Sequence, residues 1–290
     1  MSSFALKIIA IVCMTLDHFD TIIGQGGLLR LYPDPEAAHA SMEALSLTSG
    51  ILFPMEVLGR AAFPLFAFMM AEGCAKTHSM PRYLGRLALF AVISEPFFYF
   101  AFVFEPSFSG LLNEFALLNF TNVFFTLFLA ALSIFIFQKL SGKYEAKGAV
   151  ISLIAALVLA LAAEYFDTDY GAMGVFLIVA LYLTRGRRGI QCVVVALWAV
   201  TLYLGGYLLT FGSGGVANSV HEALGACLAC IPIALYNGKR SRAMKWTFYV
   251  YYPAHLLVLT LINRALMGWR RDLHHHLGGG LTLINRALMG

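Results

Sequence analysis

The chain alternates long apolar runs with short polar clusters. Nine runs have the make-up of candidate membrane spans: Phe4–Ile23, Val57–Ala75, Tyr83–Phe104, Phe120–Gln138, Ala149–Phe166, Tyr170–Thr184, Ile190–Phe211, Ala223–Tyr236 and Lys245–Ile262. A helix crossing the hydrocarbon of a bilayer needs about 20 mostly apolar residues, with a lower limit near 17. The sixth and eighth runs fall short, so hydropathy alone leaves a count between seven and nine. The longest stretch outside the runs, Gly24 to Glu56, is rich in Gly, Pro, Ser and acidic residues and is expected to be either a lid or a linker.

Charge settles the count. Loops carrying Lys76, Arg82 and Arg86, then Lys139, Lys143 and Lys147, then Arg185, Arg187 and Arg188, then Lys239, Arg240, Arg242 and Lys245 are basic. The loops between them hold Asp34, Glu36 and Glu43, then Glu105 and Glu114, then Glu164, Asp167 and Asp169, then His221 and Glu222. This alternation is what the bias of Lys and Arg towards the cytoplasm produces. It requires both short runs to cross, which predicts an all-α, polytopic transmembrane bundle of about nine spans with a cytoplasmic N-terminus. Lys7 and the run after it mimic a secretory signal, but Asp17, His18 and Asp20 interrupt the run and no small-residue cleavage pattern follows.

Composition agrees, with 60% hydrophobic and 12% charged residues, about half the charge of an average soluble domain. The net charge of +4 is scattered in loop clusters and forms no long basic face, so nucleic acid is not an expected partner. Five cysteines lie in or beside apolar runs and read as small packing residues. Cys227 and Cys230 make a lone C-x-x-C without a second ligand pair, so no metal is expected. No GxSxG, P-loop, HExxH or Rossmann glycine pattern is present, which argues against a serine hydrolase, an ATPase and a zinc protease. Residues 1–263 form the expected membrane domain. In the tail, 264–290, LTLINRALMG at Leu259 to Gly268 returns at Leu281 to Gly290, and no function is expected of it.

Ionisable residues at membrane depth are costly and need a reason. At about 1.5 Å per residue, Asp17 and His18 lie about 15 Å beyond Lys7, His255 lies equally far beyond Lys245, and Glu95 lies about 13 Å beyond Arg86. Four ionisable groups on three helices thus share one layer. The bland reading is polar glue between helices; the chemical one is a histidine base with a carboxylate orienting it. Glu72 reads as an end-of-helix carboxylate for a nearby cation, Arg60 as a residue snorkelling to the interface, and Asn122 as a cap. Tyr249, Tyr251 and Tyr252 read as packing or interface aromatics.

Six stretches in this order resemble the TraX family: LKIIAIVCMTLDH (Leu6 to His18), GRAAFPLFAFMMAEG (Gly59 to Gly73), YLGRLALFAVISEPFF (Tyr83 to Phe98), NVFFTL (Asn122 to Leu127), DYGAMG (Asp169 to Gly174), and YNGKR with FYVYYPAHL (Tyr236 to Arg240, Phe248 to Leu256). The resemblance implies a bacterial inner-membrane acyltransferase. It would move an acetyl group from acetyl-CoA to an amine such as a pilin N-terminus, or to a hydroxyl of an envelope glycan or lipid. On this view His18 or His255 is the base, with Asp17 and Glu95 beside it. Arg60, Glu72, Asn122, Asn237, Lys239 and Arg240 are the residues expected towards the CoA donor. The alternative is a proton-coupled transporter with the Asp, His and Glu layer as its relay; a third reading is an envelope assembly factor without catalysis.

Overall fold

A computed structural model describes residues 1–28, 47–103, 106–117, 119–239 and 246–288. Most of the expected lid or linker lies outside the described residues, as do Arg240 and Lys245. Every regular element among the described residues is a helix. The helices are α1 (Ser3–Phe19), α2 (Phe53–Gly59), α3 (Ala62–Lys76), α4 (Met80–Phe102), α5 (Phe108–Ala116), α6 (Val123–Leu140), α7 (Lys147–Tyr165), α8 (Gly171–Leu183), α9 (Arg188–Ala199), α10 (Gly206–Phe211), α11 (Ser213–Cys227), α12 (Cys230–Leu235) and α13 (Thr247–Leu288). The tail continues α13. Short π-helical turns follow α1 and α9 and precede α2.

Among the described residues, five stretches are long and apolar enough to cross a bilayer: Gly50–Lys76, Met80–Phe102, Val123–Leu140, Lys147–Tyr165 and Arg188–Phe211; Gly171–Leu183 and Ser219–Leu235 are shorter apolar helices. The protein is an all-α, multi-span membrane bundle. α3 is its centre, with Leu65, Ala67, Phe68 and Ala71 fully buried. Along α7 the opposite holds: Leu153, Ile154, Leu157, Val158 and Leu161 are exposed, an apolar strip suited to lipid.

α6 and α7 show how the chain turns. Helical residues run without a break over 43 positions, Val123–Tyr165, which as a straight rod would span about 64 Å. Yet the Phe120 N–H donates to the Phe166 carbonyl at 3.0 Å and the Asp169 N–H to the Thr121 carbonyl at 3.0 Å. The two ends therefore meet, and the run is a hairpin of two spans.

The polar contacts sort into two ends. At one, Lys76 reaches the Tyr236 hydroxyl at 3.3 Å, and the Gln138 amide bonds the Cys74 carbonyl and the Tyr182 hydroxyl, both at 3.1 Å. Lys7, Arg86 and Arg188 lie on the same side, so this end is basic. The other end gathers Asp17, Glu56, Asp169 and Glu222 and is acidic.

Candidate functional site

Helices α1 and α13 bring the two buried histidines together. His18 Nδ1 lies 2.6 Å from His255 Nε2, and the rings stack with centroids 4.9 Å apart and planes 9° apart. The other nitrogen of His255, Nδ1, is 2.9 Å from the Tyr251 carbonyl one turn back. A carbonyl only accepts, so His255 Nδ1 carries a proton. In neutral His255, Nε2 then offers a lone pair, and His18 Nδ1–H must be the donor to it. The chain of hydrogen bonds leaves His18 Nε2 as the unprotonated nitrogen. Aromatic walls hold the pair: Phe102 meets His18 edge-on at 5.5 Å, Tyr251 stacks on His255 at 5.1 Å, and the Tyr251 hydroxyl pairs with Thr15 at 2.7 Å.

Asp17, the neighbour of His18 in sequence, faces elsewhere, since successive helical residues point about 100° apart. Its carboxylate accepts from Arg60 Nη1 at 2.9 Å. Arg60 sits at the break between α2 and α3 and also holds Glu222 at 3.1 Å and Glu56 at 3.3 Å through Nη2. Two glycines make this possible. A Cβ on Gly59 would lie 2.7 Å from the Asp17 backbone, and one on Gly225 would lie 2.3 Å from the Val57 carbonyl. α1 and α11 therefore press against the α2 backbone on either side, and their carboxylates converge on one guanidinium.

Glu95 is 1% exposed and accepts from the Thr121 N–H at 3.0 Å, the Thr121 hydroxyl at 2.7 Å, the Asn122 N–H at 3.2 Å and the Asn122 side-chain amide at 2.5 Å. Asn122 in turn caps α6 by accepting from the Phe124 N–H at 3.0 Å, and donates to the Ala91 carbonyl at 2.8 Å. These two residues fix where α6 starts against α4.

The residues expected towards a CoA donor thus do not form one group. Glu72 pairs with Lys76 at 2.5 Å and Arg188 at 3.5 Å. The Asn237 side chain accepts from the Lys239 N–H at 3.1 Å in an exposed turn. Arg60 and Asn122 are engaged as described. What the bundle does contain is a cavity of about 280 Å³ between α1, α3, α4, α6 and α13, with Lys7 and Arg86 among its lining residues and Tyr252 next to the histidines. Lys7 stands 5.5 Å over the Phe248 ring, and Arg86 5.6 Å over Tyr83. Lys7 was visible in the sequence only as a marker of topology, whereas Arg86 closed a basic loop, Lys76 to Arg86, that the family resemblance would turn to the CoA phosphates.

Sequence reasoning also passed over Glu56 and over the side chains of His221 and Glu222, which read as loop charge. Together they bring three ligand atoms within 4.8 Å of one another, a donor set able to take a divalent cation, in the same place where Arg60 already binds both carboxylates. His221 Nε2 is 3.4 Å from Glu56. No spacing in the sequence links position 56 to 221.

The family described as TraX protein matches residues 2–263. The chain belongs to the TraX family. Membership makes it an enzyme of acyltransferase type by resemblance, and the match spans every residue of the histidine pair, the Arg60 cluster and the cavity. Among curated proteins, the "Probable fimbrial assembly protein FimC, serogroup H1" of Dichelobacter nodosus is 28% identical over 262 residues, covering 89% of this TraX-family chain and 94% of that protein. No solved structure matches.

Proposed function

We propose that this TraX-family protein transfers an acetyl group from acetyl-CoA to an amine or hydroxyl of an envelope acceptor. The observation that carries the reading is the hydrogen-bond chain Tyr251 carbonyl, His255, His18, which leaves His18 Nε2 unprotonated, with the Tyr252 ring between the histidines and a cavity lined by two cations. A base positioned to take the acceptor proton during attack supplies about 10²–10⁴ in rate. His255 orients it and stabilises its protonated form, a part that the sequence had given to Asp17. Lys7 and Arg86 suit the CoA phosphates.

The same proposal sets the topology: nine crossings, a cytoplasmic N-terminus and residence in the bacterial inner membrane, so that the basic end meets cytosolic acetyl-CoA. The acidic end then faces the acceptor. A relative named for fimbrial assembly supports a pilin N-terminal amine as the first acceptor to try, with an envelope glycan or lipid hydroxyl next.

Purified protein is incubated with labelled acetyl-CoA and membrane extract, alongside His18→Ala and His255→Ala. Label is expected to enter a membrane component with wild type only. Absence of both transfer and CoA binding in wild type would sink the acyltransferase, and a proton flux without transfer would favour a transporter.

A further inference from the structure

Tyr252 reads from sequence as a packing aromatic, but its place is unusual. It is 4% exposed, its ring lines the cavity, and it meets both histidines edge-on, with centroids 6.1 Å from His18 and 5.6 Å from His255. Phe124 packs edge-on against the same ring at 5.2 Å and fixes it. The hydroxyl oxygen is shut off from solvent, and no group accepts its proton. An unpaired buried hydroxyl is unfavourable unless something supplies the missing acceptor.

The other polar groups near the histidines are already engaged. Arg60 is held by three carboxylates, and the Asn122 amide is spent on Glu95 and the Ala91 carbonyl. That leaves the Tyr252 O–H proton as a donor awaiting an acceptor.

We propose that Tyr252 donates this proton in a hydrogen bond to the thioester carbonyl oxygen and stabilises the oxyanion of the tetrahedral intermediate, a role that rests on the acyl transfer proposed above. The acceptor nitrogen or oxygen attacks the carbonyl carbon while His18 Nε2 takes its proton. The carbonyl π pair moves onto the oxygen, where Tyr252 holds it and keeps its own proton. As the C=O bond re-forms, the C–S bond breaks, and the CoA sulfur leaves with the proton from His18. The products are the acylated acceptor and free CoA thiol.

Tyr252→Phe removes only the hydroxyl. With labelled acetyl-CoA and membrane extract, its turnover is expected to fall by about 10²–10³, the usual loss of one oxyanion donor, while its Kd for acetyl-CoA stays within about threefold of wild type. Placing 3,5-difluorotyrosine at 252 lowers the phenol pKa and is expected to move the alkaline limb of turnover to lower pH, which a packing role would not do. Should Tyr252→Phe fail to fold, the fluorinated protein alone decides. Wild-type transfer that persists in Tyr252→Phe to within threefold, or an unmoved pH profile, overturns this role and leaves the acyl transfer standing. A wild type that neither binds nor consumes acetyl-CoA overturns both.

Discussion

Single residues show why neighbours in sequence can do unrelated work. Asp17 and His18 are adjacent, yet one faces Arg60 and the other His255. If His255 serves to fix the His18 tautomer, His255→Ala is expected to lower turnover by about 10²–10⁴ with little change in acetyl-CoA affinity, measured by equilibrium binding and initial rates. His18→Ala should do at least as much, and the double variant little more, because the two act as a unit. Asp169, in the turn between α7 and α8, offers a test by pH. Burial, with Asp17 nearby, pushes its carboxyl up to about 7 from the ordinary 3.8. The folded protein therefore holds a proton that the unfolded chain releases, and stability contributed by this group declines as pH rises from about 4 to 7 and is flat above. Asp169→Asn should match wild type in thermal unfolding near pH 4 and exceed it above pH 7.

Elements show what the sequence can and cannot convey. α1 and α13 could be set side by side in depth from Lys7 and Lys245, because a helix rises by a constant step, so the histidine layer was legible. Azimuth was not: which way Asp17, Glu95 or Arg60 points depends on helix neighbours that hydropathy does not encode. Glu95, set at the histidine depth by the same count along its helix, faces the start of α6. The cavity was hidden for the same reason, since Lys7 and Arg86 come to one cavity only when α1 and α4 both line it. Close helix approach was legible in principle through small residues, and Gly59 and Gly225 are its clearest cases. Gly59→Leu is expected to force α1 off α2, destabilise the protein by about 1–3 kcal/mol and separate Asp17 from Arg60. Thermal unfolding in detergent would detect the first effect, and a double-mutant cycle with Asp17→Asn, showing lost coupling, the second.

On the scale of the molecule, the fold class was written in composition and in the rhythm of apolar runs, and the five longest apolar helices bear it out. The finer topology rests on loop charge. It predicts that cysteines placed at Gly186 in a cysteine-free background react with membrane-impermeant thiol reagents only after the membrane is opened, whereas cysteines at Asp167 react in intact spheroplasts. Identical labelling of the two would contradict the alternating arrangement. Among the described residues, Lys7, Lys76, Arg86 and Arg188, against Glu72 alone, at one end, and Asp17, Glu56 and Glu222, against Arg60 alone, at the other also give the bundle a charge asymmetry along its length. Its potential draws anions to one mouth and ammonium groups to the other, and repels each from the wrong entrance. A polyanionic donor and a cationic acceptor would be sorted by charge before either came within reach of the histidines, so raising salt should slow productive encounter of both.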